Sequence, residues 1–244
     1  MKTIPSILRG ALLVCGSVFL LAPLGAQEST EELVNKLRGT AGATGAEGGI
    51  KTRSIKSRSL SAPAAPAVVT RSVIFNPRGI PKAIEAAAEE NKIATTVTTA
   101  PSSSGAGEYS VSAGEKAVEV SYKVDPESKV SRDNILFQKG STNFADEASF
   151  QVVQQLAQAL KDPSLAGLQY VIEGHASAEG SAYSNQILSQ QRSEYIVSVL
   201  ASLGVDSHRL VPVGFGETQA QFPDYSEQYL LKQDRRVVIY RLNQ

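Results

Sequence analysis

An apolar run, Leu168-Gln-Tyr-Val-Ile-Glu-Gly174, stops at a glycine, passes through a small polar turn, and becomes about 20 residues of helical pattern. The helix runs from about Ser181 to Leu203 and ends at Gly204, the residue type that most often terminates a helix. A strand that hands over to a long helix has to be stacked on another layer, because each element buries only one side. The turn between them, Gly174 to Ser181, is the kind of strand-end bend on which ligand pockets are commonly built.

The flanking sequence repeats the alternation. Val118, Val120, Tyr122 and Val124 alternate with Glu119, Ser121, Lys123 and Asp125, a period of two that predicts a half-buried strand ending at Pro126. Ile135-Leu-Phe137 is read as the next strand. Phe150, Val153, Leu156, Ala157 and Leu160 mark one face of a helix stopped at Asp162-Pro163. Leu210 to Phe215 and Arg236 to Leu242 supply two more strands. The reading is an α+β two-layer sandwich over 116–244, with its core at about 130–242, long enough for one modest core.

What precedes it reads differently. Lys2 and Arg9, an apolar stretch from Ala11 to about Leu21, and Ala22-Pro-Leu-Gly-Ala26 form the three regions of a secretory signal peptide over 1–26, with cleavage after Ala26. An uncleaved membrane anchor is the alternative, although the run falls short of a full span. The one cysteine, Cys15, follows Val14 rather than a small residue and is discarded with the signal, which excludes cysteine chemistry from the mature chain. Residues 27–115 are rich in Gly, Ala, Ser, Thr and Pro and are expected to form a low-complexity flexible arm. Within it, Glu31 to Arg38 is a short amphipathic candidate, and a helix is possible from Pro81 to about Lys92. Lys51, Arg53, Lys56 and Arg58 read as a solvated basic tail.

Charge and motif content exclude several functions. Without Lys2 and Arg9 the chain has 22 basic against 24 acidic residues, a net charge of −2 that suggests no nucleic-acid partner. The only two histidines, His175 and His208, lie in separate loops without metal-ligand spacing. His175 is expected to be held in its turn by hydrogen bonds to backbone. There is no Gly-x-Ser-x-Gly elbow. No catalytic residue, cofactor or metal is assigned.

Helical spacing gives the long helix a directed face. Asn185, Arg192 and Val199 lie seven apart, nearly on one line. Leu188, Ile196, Val199 and Leu203 are expected to be the apolar stripe packed on the sheet. Arg192 then sits at the border of that stripe, where its planar fork can receive a carboxylate, snorkel, or pair with a neighbouring acid.

Gly174-His175, Gly180, Tyr183, Asn185, Leu188-Ser189, Arg192, Gly204-Val205, Arg209-Leu210, Gly214, Gly216 and Arg235-Arg236-Val237 together resemble the OmpA-like peptidoglycan-binding domain family. Ile135-Leu-Phe137 with Gly140-Ser-Thr142 matches the family's opening. The resemblance implies a βαβαββ sandwich that clasps the diaminopimelate-type stem peptide of peptidoglycan without a covalent bond. It implies that Arg192 takes a carboxylate and that Asn185 belongs to the site. The family's ammonium-binding aspartate is Ser177 here, which offers a hydrogen bond but no countercharge. Glu179, two residues on, is the candidate replacement. Asp234 stands where the family usually has asparagine and is expected to pair with Arg235 or Arg236.

The implied protein is exported, periplasmic, associated with the cell wall and outer membrane, and not an enzyme. Its arm is expected to reach an outer-membrane or other envelope protein. The alternative is a protein-interaction or scaffold module in which Ser177 marks weakened or lost peptidoglycan binding.

Overall fold

The computed structural model describes residues 28–39, 68–75, 80–99 and 116–243. The expected signal peptide, the basic cluster at 51–58 and most of the glycine-rich run lie outside the described residues. The elements are α1 (Thr30–Arg38), β1 (Val69–Phe75), α2 (Lys82–Glu89), β2 (Ala94–Thr99), β3 (Lys116–Arg132), α3 (Glu147–Leu160), β4 (Tyr170–Gly174), α4 (Ala182–Ser202), β5 (Leu210–Gly214), α5 (Gln228–Asp234) and β6 (Val237–Leu242). The sheet runs β1-β3-β6-β4-β5, with β2 also paired to β3. Only β4 and β5 are parallel; the other pairs are antiparallel. Elements β3, α3, β4, α4, β5 and β6 reproduce the expected βαβαββ order, with α5 set between the last two strands.

Strand alternation divides the interior in two. Tyr170 and Ile172 of β4 face α1, α3 and α4, in a core with Leu37, Leu156, Leu160, Ile196, Leu200 and Ile239. Val171 faces the opposite side, where Val73, Phe75, Val211, Val213 and Tyr240 pack with Ile84 and Ala87 of α2. Both faces of β4 and β5 are therefore covered, and every residue of these two strands is buried.

Several local expectations are corrected. Ile135–Phe137 is not a strand: Phe137 makes one isolated bridge to Phe144, and the chain between them turns back through Gly140 at φ 66°. Strand β3 does not stop at Pro126 but continues to Arg132. Its register with β6 shifts between Asp125 and Val130, and Pro126 falls in that shift, where no ladder N–H is required.

The described parts of 27–115 are built into the fold. Thr30–Arg38 is a helix capped by Ser29, with Leu33, Val34 and Leu37 buried against α3. Ala94–Thr99, expected to belong to the flexible arm, pairs along β3. The helix bears out the amphipathic reading of Glu31 to Arg38, whereas Ala94–Thr99, with Val97 its one large apolar side chain, borrows the surface of β3 that local composition does not reveal.

Candidate binding site

The start of α4 is set by Ser181, whose side chain accepts a hydrogen bond from the Ser184 N–H. The face that meets the sheet is the predicted apolar stripe only in part: Ile196 is buried in the core and Val199 and Leu203 pack at its edge. Gln186, Ser189, Gln190, Ser193, Ile196 and Leu200 are buried, whereas Leu188, Val199 and Leu203 are only partly so. The reason is close approach. A Cβ on Gly174 would overlap the Ser189 carbonyl oxygen, and one on Gly214 would overlap the Gln190 backbone nitrogen. Helix and strand ends meet backbone to backbone there, leaving no room for large apolar side chains. Gln190 uses the contact: its Oε1 accepts from Gly214 N at 2.6 Å and its Nε2 donates to Pro212 O at 3.2 Å. Edge strand β5 thus receives the hydrogen bonds that a further strand would give.

Seven residues after Asn185, Arg192 leaves α4 toward a cavity of about 230 Å³. The lining includes Phe137, Ala145, Gly174, His175, Arg192, Lys232, Arg235, Arg236 and Val237. Arg192 is 8% exposed. Its Nε donates to Ser141 O at 3.1 Å, its Nη2 donates to Gln138 O at 3.3 Å, and the guanidinium lies 4.8 Å from the Phe137 ring centre. No described carboxylate pairs with it, and Nη1 has no protein partner among the described residues. Burial, with the Arg235 charge nearby, pulls its pKa down to about 10, so the group remains a cation at neutral pH.

The other expected site residues form a cluster beside this cavity rather than in its lining. Asn185 Nδ2 donates to Ser177 O at 3.1 Å, to Glu179 O at 3.0 Å and to Glu217 Oε2 at 2.5 Å, which fixes the turn. Ser177 Oγ donates to Glu179 Oε2 at 3.2 Å. Glu179 also receives Arg235 Nη1 at 2.8 Å and Gln228 Nε2 at 2.9 Å. Chiefly the Gln228 amide, followed by Ser177 and Arg235, holds the Glu179 carboxyl below its usual range. Arg235 joins the two groups, since it lines the cavity and also lies 3.4 Å from Ser177 Oγ.

Lys232 and Arg235 went unassigned in sequence. Their spacing of three within the lysine- and arginine-bearing segment before β6 was the available signal. Asp234 pairs with Arg236 at 3.4 Å as expected, and it also accepts the N–H groups of Gln221 and Phe222.

His175 departs from its expected environment. Its backbone N–H donates to Arg236 O, but its ring is held by a side chain: Nε2 lies 3.3 Å from Glu173 Oε2, and the ring stacks on Phe215. Among the described residues no group of three or more His, Cys, Asp or Glu side chains is placed to hold a metal ion. None of the described helices is long and apolar enough to cross a membrane.

The peptidoglycan-associated lipoprotein of Burkholderia pseudomallei aligns at 24% identity over 49% of this chain and 94% of its own, with a TM-score of 0.39. The cell wall anchor of the T6SS from Pseudomonas aeruginosa aligns at 19% identity over 67% of this chain and 96% of its own, TM-score 0.40. The periplasmic domain of Helicobacter pylori MotB aligns at 18% identity over 50% and 76%, TM-score 0.39. Residues 136–229, from the Phe137 bend through α4 to the start of α5, match the model of the OmpA family, and the chain carries an OmpA-like domain.

Proposed function

We propose that this chain is an exported, non-enzymatic envelope protein that binds peptidoglycan non-covalently through the Arg192 cavity. The observation that carries the reading is Arg192 itself, a buried guanidinium with a free Nη1 facing a cavity and no acidic partner among the described residues. A buried cation without a countercharge is costly, and an incoming carboxylate relieves that cost with charge-assisted bonds. The cavity of about 230 Å³ suits a small acidic side chain or stem-peptide terminus better than a folded partner. Its cations and apolar side chains hold an anion, and its one imidazole is already engaged by Glu173. The OmpA-like domain supports the same reading. Tethering to another envelope component, through the sequence that precedes residue 116, is the second part of this reading.

Co-sedimentation with purified peptidoglycan tests it. The chain from residue 27 pellets with the wall, and Arg192→Ala reduces the bound fraction about tenfold or more, the loss of one charge-assisted contact. A wild type that stays in the supernatant rejects wall binding and favours the scaffold reading.

A further inference from the structure

We propose that the Arg192 cavity selects a carboxylate whose neighbouring amine carries no charge, so that it takes stem peptides already acylated at that amine, as in a cross-link. The proposal rests on the wall-binding reading and sharpens its ligand. Four cations line the cavity, Arg192, Lys232, Arg235 and Arg236, and no carboxylate does. Arg235 and Arg236 are countered by Glu179 and Asp234 outside the lining, so an ammonium entering with the carboxylate would meet chiefly the buried, unpaired charge of Arg192, reinforced by Lys232 at the rim, with no acid in the lining to receive it.

The acids nearest the cavity are already engaged, and Asp146, next to the lining residue Ala145, accepts both the N–H and the hydroxyl of Ser149. Glu179 gives Oε2 to Arg235 at 2.8 Å and Oε1 to Gln228 at 2.9 Å. Turning it toward a ligand would strip Arg235 of its countercharge and make the cavity more positive. Glu217 is bonded to Asn185 at 2.5 Å, and Asp234 holds two loop N–H groups and Arg236. Ser177, at the position where the family resemblance expects an acid, already donates its hydroxyl proton to Glu179. An amide N–H asks for an acceptor but brings no charge, so acylating the amine removes the repulsion and leaves the carboxylate for Arg192. The same argument makes Ser177→Asp the variant that reverses the preference, because it adds a negative charge beside Arg235.

The experiment compares purified walls with the same walls after acetylation of their free amines, using the chain from residue 27. Acetylated walls bind the wild type more strongly than untreated walls, whereas Ser177→Asp binds untreated walls about tenfold more strongly than acetylated ones. A wild type that binds the two walls equally, or loses binding on acetylation, overturns the proposal and leaves wall binding standing. A wild type that pellets with neither wall overturns both. Arg192→Ala that pellets equally with both walls at the wild-type level also overturns the proposal, because the contact then lies elsewhere.

Discussion

At Glu173 a carboxylate with no solvent exposure occupies a central strand, and its partners come from distant parts of the chain. Arg71 of β1 donates through Nε at 2.5 Å and Nη2 at 2.8 Å, Tyr122 of β3 donates its hydroxyl at 2.7 Å, and His175 lies at 3.3 Å. Burial alone would raise the Glu173 pKa, but the His175 and Arg71 contacts reverse this and hold it below the ordinary value. The carboxylate is thus ionised in the interior and depends on Arg71 for its countercharge. Arg71→Met leaves that charge uncompensated and is expected to cost about 3 kcal/mol, the lower end of the range for a broken buried pair because Arg71 is partly exposed. The double variant Arg71→Met/Glu173→Leu recovers most of the loss, since an apolar pair can replace a buried ion pair. Urea midpoints of the two variants check this, and a double variant no more stable than the single one would contradict it. None of this pairing was legible from sequence. Glu173 stood as one polar residue in an apolar run, and Arg71 as one cation in a segment read as arm.

Among the elements, α4 shows how spacing can be read correctly and its chemistry misread. Its limits were clear from Ser181 and Gly204, and the line through Asn185 and Arg192 is present in the structure as two buried side chains. The stripe was read correctly at Ile196, but its N-terminal half was misplaced, because a rule based on apolar residues cannot anticipate a polar, backbone-close contact. Gly174 and Gly214 were the available signal, since each lies at a strand end where the helix backbone passes too closely for a Cβ. Gly214→Ala forces α4 away from β5 and is expected to cost about 2–3 kcal/mol through overpacking against backbone that cannot turn aside. Because Arg192 leaves the same helix, the variant should also bind wall more weakly at full folding. Gln190→Leu removes the bonds to Gly214 N and Pro212 O without adding a clash, and should cost about 1–3 kcal/mol. Chemical denaturation of both, with wall pelleting of the folded fraction, separates the two effects. A Gly214→Ala protein with wild-type stability would mean that α4 accommodates the added carbon.

For the molecule as a whole, the boundary drawn from sequence at residue 116 cuts across a sheet and a core that take residues from both sides of it. β1 and β2 are paired to β3, α1 covers the core around Leu37, and Arg71 neutralises Glu173. Residues 116–244 produced alone should therefore be markedly less stable than the chain from residue 27. The loss of α1 alone uncovers three apolar side chains, each worth about 1.5–3 kcal/mol when fully buried. The same interior sets the response to pH. Burial, opposed by Glu173, keeps His175 below the ordinary imidazole value of 6.5, so the folded protein holds it neutral. The unfolded chain binds more protons as pH falls past 6.5, and stability must decrease in that direction. The carboxylates of Glu28, Glu173 and Glu179, all held below 4.5, extend the decline at lower pH, where their native interactions are lost on protonation. Between pH 7.5 and 5.5 the carboxylates contribute little, and His175 carries the dependence. His175→Phe keeps a ring against Phe215 but cannot take up a proton, so its urea midpoint should change less over that window than the wild type's. Equal declines in the two proteins would show that acid destabilises the fold through some other group.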